Sequence, residues 1–284
     1  MTEENILIDG KAGKLAVRMK RPGSSPKGIL ILVQGANISG QLGYDLQVPG
    51  HSGYSFMDAL VARGYAAVTF SLRGYYLSTL EGDPHSVQTE AAIEDLDSVI
   101  DWVVGQGFAL PHLLGWSWGG RIAARFVEQS GARIDRLVLL DPALGGGQLI
   151  PFPGKEPYWQ NSYDYFYNRL EPEFTHEDVR ISVAQQASEK ELDAPNGIRV
   201  ENENGSTPAD PSKITRPTLM IYGDAAGGQA YMHGARGRGD FLEAIPTGDK
   251  ALVIVPGGGD YAHIQNPRAR IFGAVADFLD WGTA

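Results

Sequence analysis

Short apolar runs recur along this chain, each separated from the next by a stretch of helical periodicity, and that alternation restricts the possible folds more than any other feature. The runs are Ile29-Leu-Ile-Leu-Val33, Ala66-Ala-Val-Thr-Phe70, His112-Leu-Leu-Gly-Trp116, Leu137-Val-Leu-Leu140, Thr218-Leu-Met-Ile-Tyr222 and Ala251-Leu-Val-Ile-Val255. They read as strands buried on both faces, because a half-exposed strand would alternate apolar with polar residues. Helical patterns cover Ser55 to Ala62, Val87 to Val104, Gly119 to Gln129 and Arg268 to Trp281. In the second of these, Ala92, Ile93, Leu96, Val99, Ile100 and Val103 return at helical spacing while acids hold the other face. Asn266 and Pro267 stand ahead of the last as an N-cap and first helical residue. Ile6 to Ile8 and Leu15 to Met19 flank Asp9-Gly-Lys-Ala-Gly13 and form an opening hairpin. The expected class is α/β, with a mostly parallel central sheet and helices on both faces.

The segment from Pro142 to Arg216 interrupts this rhythm. It lacks a strong strand run and is too long for a bare loop, so it should carry helices of its own as an inserted cap. Its first half is rich in aromatics, including Phe152, Tyr158, Trp159, Tyr163, Tyr165, Phe166, Tyr167 and Phe174. The expected organisation is an α/β core in two parts, 1–141 and 217–284, with a cap at 142–216.

Composition narrows the function. A chain of 284 residues with 43% hydrophobic content can bury a substantial core without staples. Its net charge of −10 opposes partnership with nucleic acid or an anionic membrane. With no cysteine there is no disulfide frame, zinc-thiolate site or cysteine nucleophile. Met1-Thr-Glu-Glu-Asn5 lacks the character of an export signal and no run is long enough to span a bilayer, so the expectation is a soluble, cytoplasmic protein.

The residues that carry chemistry are Gly115-Trp116-Ser117-Trp118-Gly119, joining a strand candidate to a helix candidate. A nucleophile on so sharp a turn takes a strained backbone, and small residues two positions to either side let strand and helix approach. With 36 glycines in 284 residues the bare pattern would arise by chance roughly a quarter of one time, so its context is what makes it specific. A serine hydroxyl needs a base, and that base needs an orienting group. His263 follows the strand ending at Val255, and Asp224 follows the strand ending at Tyr222, giving the chain order Ser117, Asp224, His263. Asp141 and Asp260 are alternative acids. His233 is the other late histidine, but it precedes the last strand.

At these residues the chain resembles the α/β-hydrolase superfamily, in its serine esterase-like branch with a cap, over nearly the whole length. Gln34-Gly35-Ala36-Asn37 stands where the family has His-Gly after the third strand, and Ser71-Leu-Arg-Gly-Tyr-Tyr-Leu-Ser78 resembles its Asp-x-Arg-Gly-x-Gly-x-Ser. The resemblance implies oxyanion donors at the backbone N–H groups of Ala36 and Trp118, with Ser117, His263 and Asp224 as the catalytic set. It implies a serine hydrolase acting on a small hydrophobic carboxylic ester, an aryl ester or a lactone among the options, with Gln34, Tyr75, Tyr76, Tyr158 and Trp159 as candidate substrate contacts. Rival readings are a proline-iminopeptidase-like amidase, for which Glu156 or Glu171 would hold the substrate ammonium, a carbon–carbon bond hydrolase, and a slow-turnover ligand receptor. Relatives that process haloalkanes or epoxides place aspartate at the nucleophile, which sets those reactions aside.

Other motifs are ordinary. His176-Glu-Asp-Val-Arg180 lacks the second histidine of a zinc-protease helix, and the remaining histidines show no ligand spacing, so neither metal nor cofactor is expected. Arg238-Gly239-Asp240, Gly145-Gly-Gly147 and Gly257-Gly-Gly259 read as turns. A monomer or a homodimer is expected.

Overall fold

A computed structural model describes residues 1–146, 149–226 and 237–281. His233 and Gly147 lie outside the described residues. The chain opens with the hairpin β1 (Thr2–Gly10) and β2 (Gly13–Arg21) and continues with β3 (Ile29–Val33), α1 (Gly40–Tyr44), α2 (Phe56–Ala62) and β4 (Ala66–Phe70). Next come α3 (Thr89–Gly105), β5 (His112–Trp116), α4 (Trp118–Ser130) and β6 (Leu137–Leu140). After an inserted segment the chain returns as β9 (Thr218–Gly223), α8 (Arg238–Glu243), β10 (Lys250–Val255) and α9 (Arg268–Leu279).

The strands form one eight-stranded sheet in the order β1-β2-β4-β3-β5-β6-β9-β10, parallel from β4 onward, with β2 antiparallel to both of its neighbours. Every residue of β3, β4, β5 and β6 is buried, as continuous apolar runs require when helices cover both faces. Alternate residues feed two cores: Ile31, Val68, Leu113 and Leu139 pack on one face with α3 and α4, and Leu32, Ala67, Leu114 and Val138 on the other with α2 and α9. Register decides where the site falls. Val33 lies opposite Gly115, Trp116 opposite Leu140, Leu140 opposite Ile221 and Gly223 opposite Val255, so these strands end level with one another. The loops carrying Ala36, Ser117, Asp141, Asp224 and Asp260 therefore leave along one edge, where open α/β sheets bind their ligands.

Between β6 and β9 the chain forms β7 (Tyr158–Gln160), α5 (Tyr163–Arg169), α6 (Glu177–Lys190), β8 (Asp193–Pro195) and α7 (Gly197–Asn204). The helices match the expectation for this segment. The antiparallel pair β7 and β8 does not show in the sequence, because three residues cannot display a period and one of them is Pro195. Buried hydrogen bonds fasten the segment to the loop after β3. Asn161 Nδ2 donates to the Asn37 carbonyl at 2.6 Å and to the Glu191 carbonyl at 2.7 Å. The Glu191 carboxylate accepts from the Ser39 N–H at 2.6 Å and also from its hydroxyl. Burial pushes the Glu191 carboxyl up to about 7 despite those two donors.

Ser55 caps α2 by accepting from the Asp58 N–H at 2.9 Å. At α9 the cap is Pro267, one residue later than expected, and the Asn266 N–H donates to the Phe174 carbonyl at 2.8 Å. Among the described residues no helix is long and apolar enough to cross a membrane.

Candidate active site

Ser117 sits between β5 and α4 at φ 54° and ψ −118°, a strained conformation for a residue with a side chain. Its neighbours explain how the turn closes. A Cβ on Gly115 would come within 2.0 Å of the Gly119 carbonyl oxygen, and one on Gly119 within 2.3 Å of the Val33 oxygen. Only glycine at both positions lets α4 start this close to β3 and β5. The Ser117 N–H donates to Leu140 at 3.0 Å, and its carbonyl accepts from Gly120 at 2.9 Å and Ala143 at 2.8 Å. The backbone is thus held from both sides while the side chain faces a cavity of about 440 Å³.

Ala36, Asn37, Trp116 and Ser117 of the core line this cavity, with Phe152, Trp159, Tyr165, Arg169, Arg199 and Asn202 of the inserted segment and Asp260 and Tyr261 from the loop after β10. Ala36 is beside the serine, held by a hydrogen bond from the Tyr75 hydroxyl to its carbonyl at 2.9 Å. Trp118 is the first residue of α4, so its backbone N–H has no partner within the helix. Its indole points elsewhere, donating to the Thr89 hydroxyl at 3.0 Å in the core.

The other expected substrate contacts divide. Trp159 lines the cavity, edge-on to Tyr165 at 5.1 Å and with the Arg199 guanidinium 4.2 Å from its ring centre. Tyr158, Tyr75 and Tyr76 are not among the lining residues. Gln34 is fully buried, and its side chain accepts from the Leu72 N–H at 3.0 Å, tying the ends of β3 and β4 together.

Ser117, Ala36 and Trp159 are brought to one space, whereas His263 and Asp224 are not. His263 is buried behind Trp116, with ring centres 4.5 Å apart, and beside Tyr44 at 5.7 Å. Neither ring nitrogen has a hydrogen-bond partner among the described residues. Burial holds its pKa down at about 3, with the nearby Gly43 backbone opposing that shift, so the ring is neutral near pH 7. Asp224 is exposed and accepts from the Gly257 N–H at 2.9 Å.

The acid in the cavity wall is Asp260, three residues before His263. Its carboxylate is ion-paired with Arg169 of α5, and its carbonyl accepts from the Trp116 indole at 2.9 Å. Asp141, at the end of β6 with φ 41°, is buried and ion-paired with Arg238 of α8. Burial, opposed by Arg238 and reinforced by Asp260, lifts Asp141 to about 7. Asp141, directly after its strand, and Asp260 stand in the sequence only as alternatives to Asp224. That Arg169 and Arg199 join Asp260 at the cavity depends on the packing of the inserted segment and leaves no local trace in the sequence.

Elsewhere, His51, His176 and Asp178 bring ligand atoms within 4.8 Å of one another, a set able to hold a divalent ion, with His51 Nε2 2.7 Å from Asp178. Spacing along the chain could not show this, since the two histidines come from distant segments. None of the three lines the cavity beside Ser117.

A sequence model of the alpha/beta hydrolase family matches residues 41–274. N-formylmaleamate deformylase of Pseudomonas putida is 28% identical over 109 residues, which cover 38% of this chain and only 39% of that protein. Among solved structures, a serine hydrolase from the polyaromatic-hydrocarbon-degrading bacterium Cycloclasticus zankles superposes with a TM-score of 0.71 at 15% identity, covering 98% of each chain. A thermophilic esterase from Thermogutta terrifontis gives 0.67 at 16% identity, covering 97% of this chain and 98% of its own. At such identities these structures speak for the fold.

Proposed function

The chain belongs to the alpha/beta hydrolase family, and from that premise we propose that it is a serine hydrolase cleaving a small, largely hydrophobic carboxylic ester through an acyl-enzyme. The observation that carries this reading is the strained Ser117, held at φ 54° with its side chain on the cavity beside Ala36 and at the first turn of α4. Ser117 Oγ attacks the ester carbonyl carbon while the N–H groups of Ala36 and Trp118 receive the developing oxyanion, and collapse of the adduct breaks the bond to the alcohol oxygen, which leaves with the proton that Oγ gave up. Water then releases the acyl group. Phe152, Ile198, Trp159 and Tyr165 supply apolar walls for the acyl or alcohol part, with the inserted segment 142–216 acting as the cap.

A relay through His263 and Asp224 would require both groups to leave their present positions. The amidase reading is less well supported, because neither Glu156 nor Glu171 is among the residues lining the cavity.

The test is a panel of p-nitrophenyl esters of increasing chain length, assayed with the native protein and with Ser117→Ala. The native protein should turn over at least one of them, and the variant should lose on the order of 10⁶ in kcat. Substantial activity in Ser117→Ala would overturn the assignment.

A further inference from the structure

We propose that His51, His176 and Asp178 form a site for one Zn²⁺ ion that ties the inserted segment to the core, apart from the chemistry at Ser117. His51 lies in the loop between α1 and α2, whereas His176 caps α6 and Asp178 stands in its first turn. Ligand atoms of all three lie within 4.8 Å of one another. His51 Nε2 is 2.7 Å from Asp178 Oδ2, and His176 Nδ1 is 3.8 Å from the same oxygen. A tetrahedral zinc ion about 2.0–2.1 Å from each ligand sets those ligands about 3.3–3.4 Å apart. The two observed separations fall on either side of that value, so adjustments of roughly half an ångström admit the ion. His51 is half-buried and the other two are exposed, which leaves their side chains room for that movement.

The backbone beneath these side chains is already held in register. Ser182 Oγ donates to the Gln47 carbonyl at 3.4 Å, and Gln186 Nε2 donates to the same oxygen at 3.2 Å. Asp178, Ser182 and Gln186 are spaced four apart, so the face of α6 that docks on the loop is the face that carries Asp178. On the loop side the His51 N–H closes a turn by donating to the Val48 carbonyl at 3.0 Å, and its ring meets Tyr54 edge-on at 6.4 Å. The His51 and His176 ring centres are 4.7 Å apart. Among the described residues no Lys or Arg pairs with Asp178, whose partners are the two histidines. Glu177 does not compete for the ion, being committed to Arg180 and the Tyr167 hydroxyl at 2.7 Å each.

The donor set selects the ion. Two imidazole nitrogens and one carboxylate oxygen suit Zn²⁺ and its first-row neighbours, whereas Mg²⁺ and Ca²⁺ require oxygen ligands. Each imidazole binds through one nitrogen and keeps its proton on the other, so the ion takes the place of the hydrogen bond between His51 and Asp178. A water completes the tetrahedron on the exposed side. The dipole at the start of α6 opposes a cation, and the Asp178 carboxylate in that first turn offsets it. Because the ligands come from two segments, the ion binds the folded chain in preference to the unfolded one and stabilises the docking of α6 on the core.

The experiment takes the untagged protein, stripped with EDTA and dialysed, and titrates it with Zn²⁺ by calorimetry and with Co²⁺ by visible absorption, alongside His51→Gln, His176→Gln and Asp178→Asn. One ion should bind per chain, and Zn²⁺ should displace Co²⁺ and bleach its spectrum. A hundredfold excess of Zn²⁺ over its Kd should raise the melting temperature by roughly 5 °C, and the same concentration of Mg²⁺ should not. Each variant should bind at least ~10-fold more weakly than the native protein. If a variant does not fold, Cu²⁺ electron paramagnetic resonance of the native protein decides, with two nitrogen donors supporting the site and fewer overturning it. No saturable binding, a Mg²⁺ effect equal to that of Zn²⁺, or a folded variant with native affinity would also overturn it. These results leave the Ser117 reading untouched, since none of the three residues lines that cavity.

Discussion

Replacing Ser117 with glycine should make the protein more stable while abolishing its activity. The side chain is held at φ 54° and ψ −118°, a region essentially reserved for glycine, and such strain typically costs ~1–3 kcal/mol. Glycine relieves it but gives back ~0.5–1 kcal/mol through the greater freedom of the unfolded chain, leaving a net gain of about 1 kcal/mol. Alanine keeps its Cβ and therefore the strain. The Ser117 side chain makes no capping hydrogen bond to α4, so losing the hydroxyl alone should be neutral to within ~0.5 kcal/mol. The comparison of Ser117→Gly with Ser117→Ala thus isolates the backbone. In a chain of 284 residues, 1 kcal/mol corresponds to a rise of roughly 2 °C in melting temperature, resolvable by calorimetry and by urea unfolding. The alanine variant should melt with the native protein and the glycine variant above both. A glycine variant no more stable than the alanine one would show that the turn is unstrained, and would remove the physical ground for regarding Ser117 as a residue kept in place for its chemistry.

Three further outcomes follow from the same geometry. Gly119→Ala places a Cβ 2.3 Å from one backbone oxygen and 2.4 Å from another, so α4 must move off the sheet, which should cost at least the ~1–3 kcal/mol of core overpacking together with most of the ester turnover proposed for Ser117. Urea unfolding should show the loss, and a variant as stable as native would refute the close approach. His263, with a folded pKa of about 3 against an ordinary 6.5, binds its proton less well in the native state. It imposes no penalty above pH 6.5 and a growing one as the pH falls toward 3, at about 1.4 kcal/mol per unit. The unfolding free energy of His263→Gln should therefore fall less steeply with acid than that of the native protein, and parallel slopes would contradict the burial of a neutral ring. Glu191 acts in the opposite sense. Its folded pKa of about 7 lies above the ordinary 4.5, so the native state holds its proton more tightly and loses stability as the pH rises from 4.5 through 7. Glu191→Gln should flatten that decline, and a variant with the native slope would show that this carboxyl is ionised in the fold.

Most of the architecture could be read from local pattern because it is built from local pattern. β3, β4, β5 and β6 coincide with their apolar runs, since a strand covered on both faces has no polar residue to blur its ends. The turn at Ser117 was legible for a similar reason, as the glycines at 115 and 119 are dictated by backbone atoms almost touching across it. The site beyond the nucleophile was much less so. Asp224 and His263 stand at suitable strand ends, but what a side chain faces depends on what packs over it. Trp116 lines the cavity and packs on the ring of His263, which does not line it, and the insertion delivers Arg169 to Asp260 from far along the chain. Tyr75 looked like a substrate contact by its place after β4 and instead braces the Ala36 loop. Histidine spacing pointed to no metal, yet the fold gathers His51, His176 and Asp178 from two segments.

The most direct test of the account is to treat the native protein with a fluorophosphonate and map the adduct by peptide mass. The account predicts a single modification on Ser117, suppressed by an ester that the protein turns over. Modification confined to another residue, or no adduct at all under conditions where ester is hydrolysed, would contradict it.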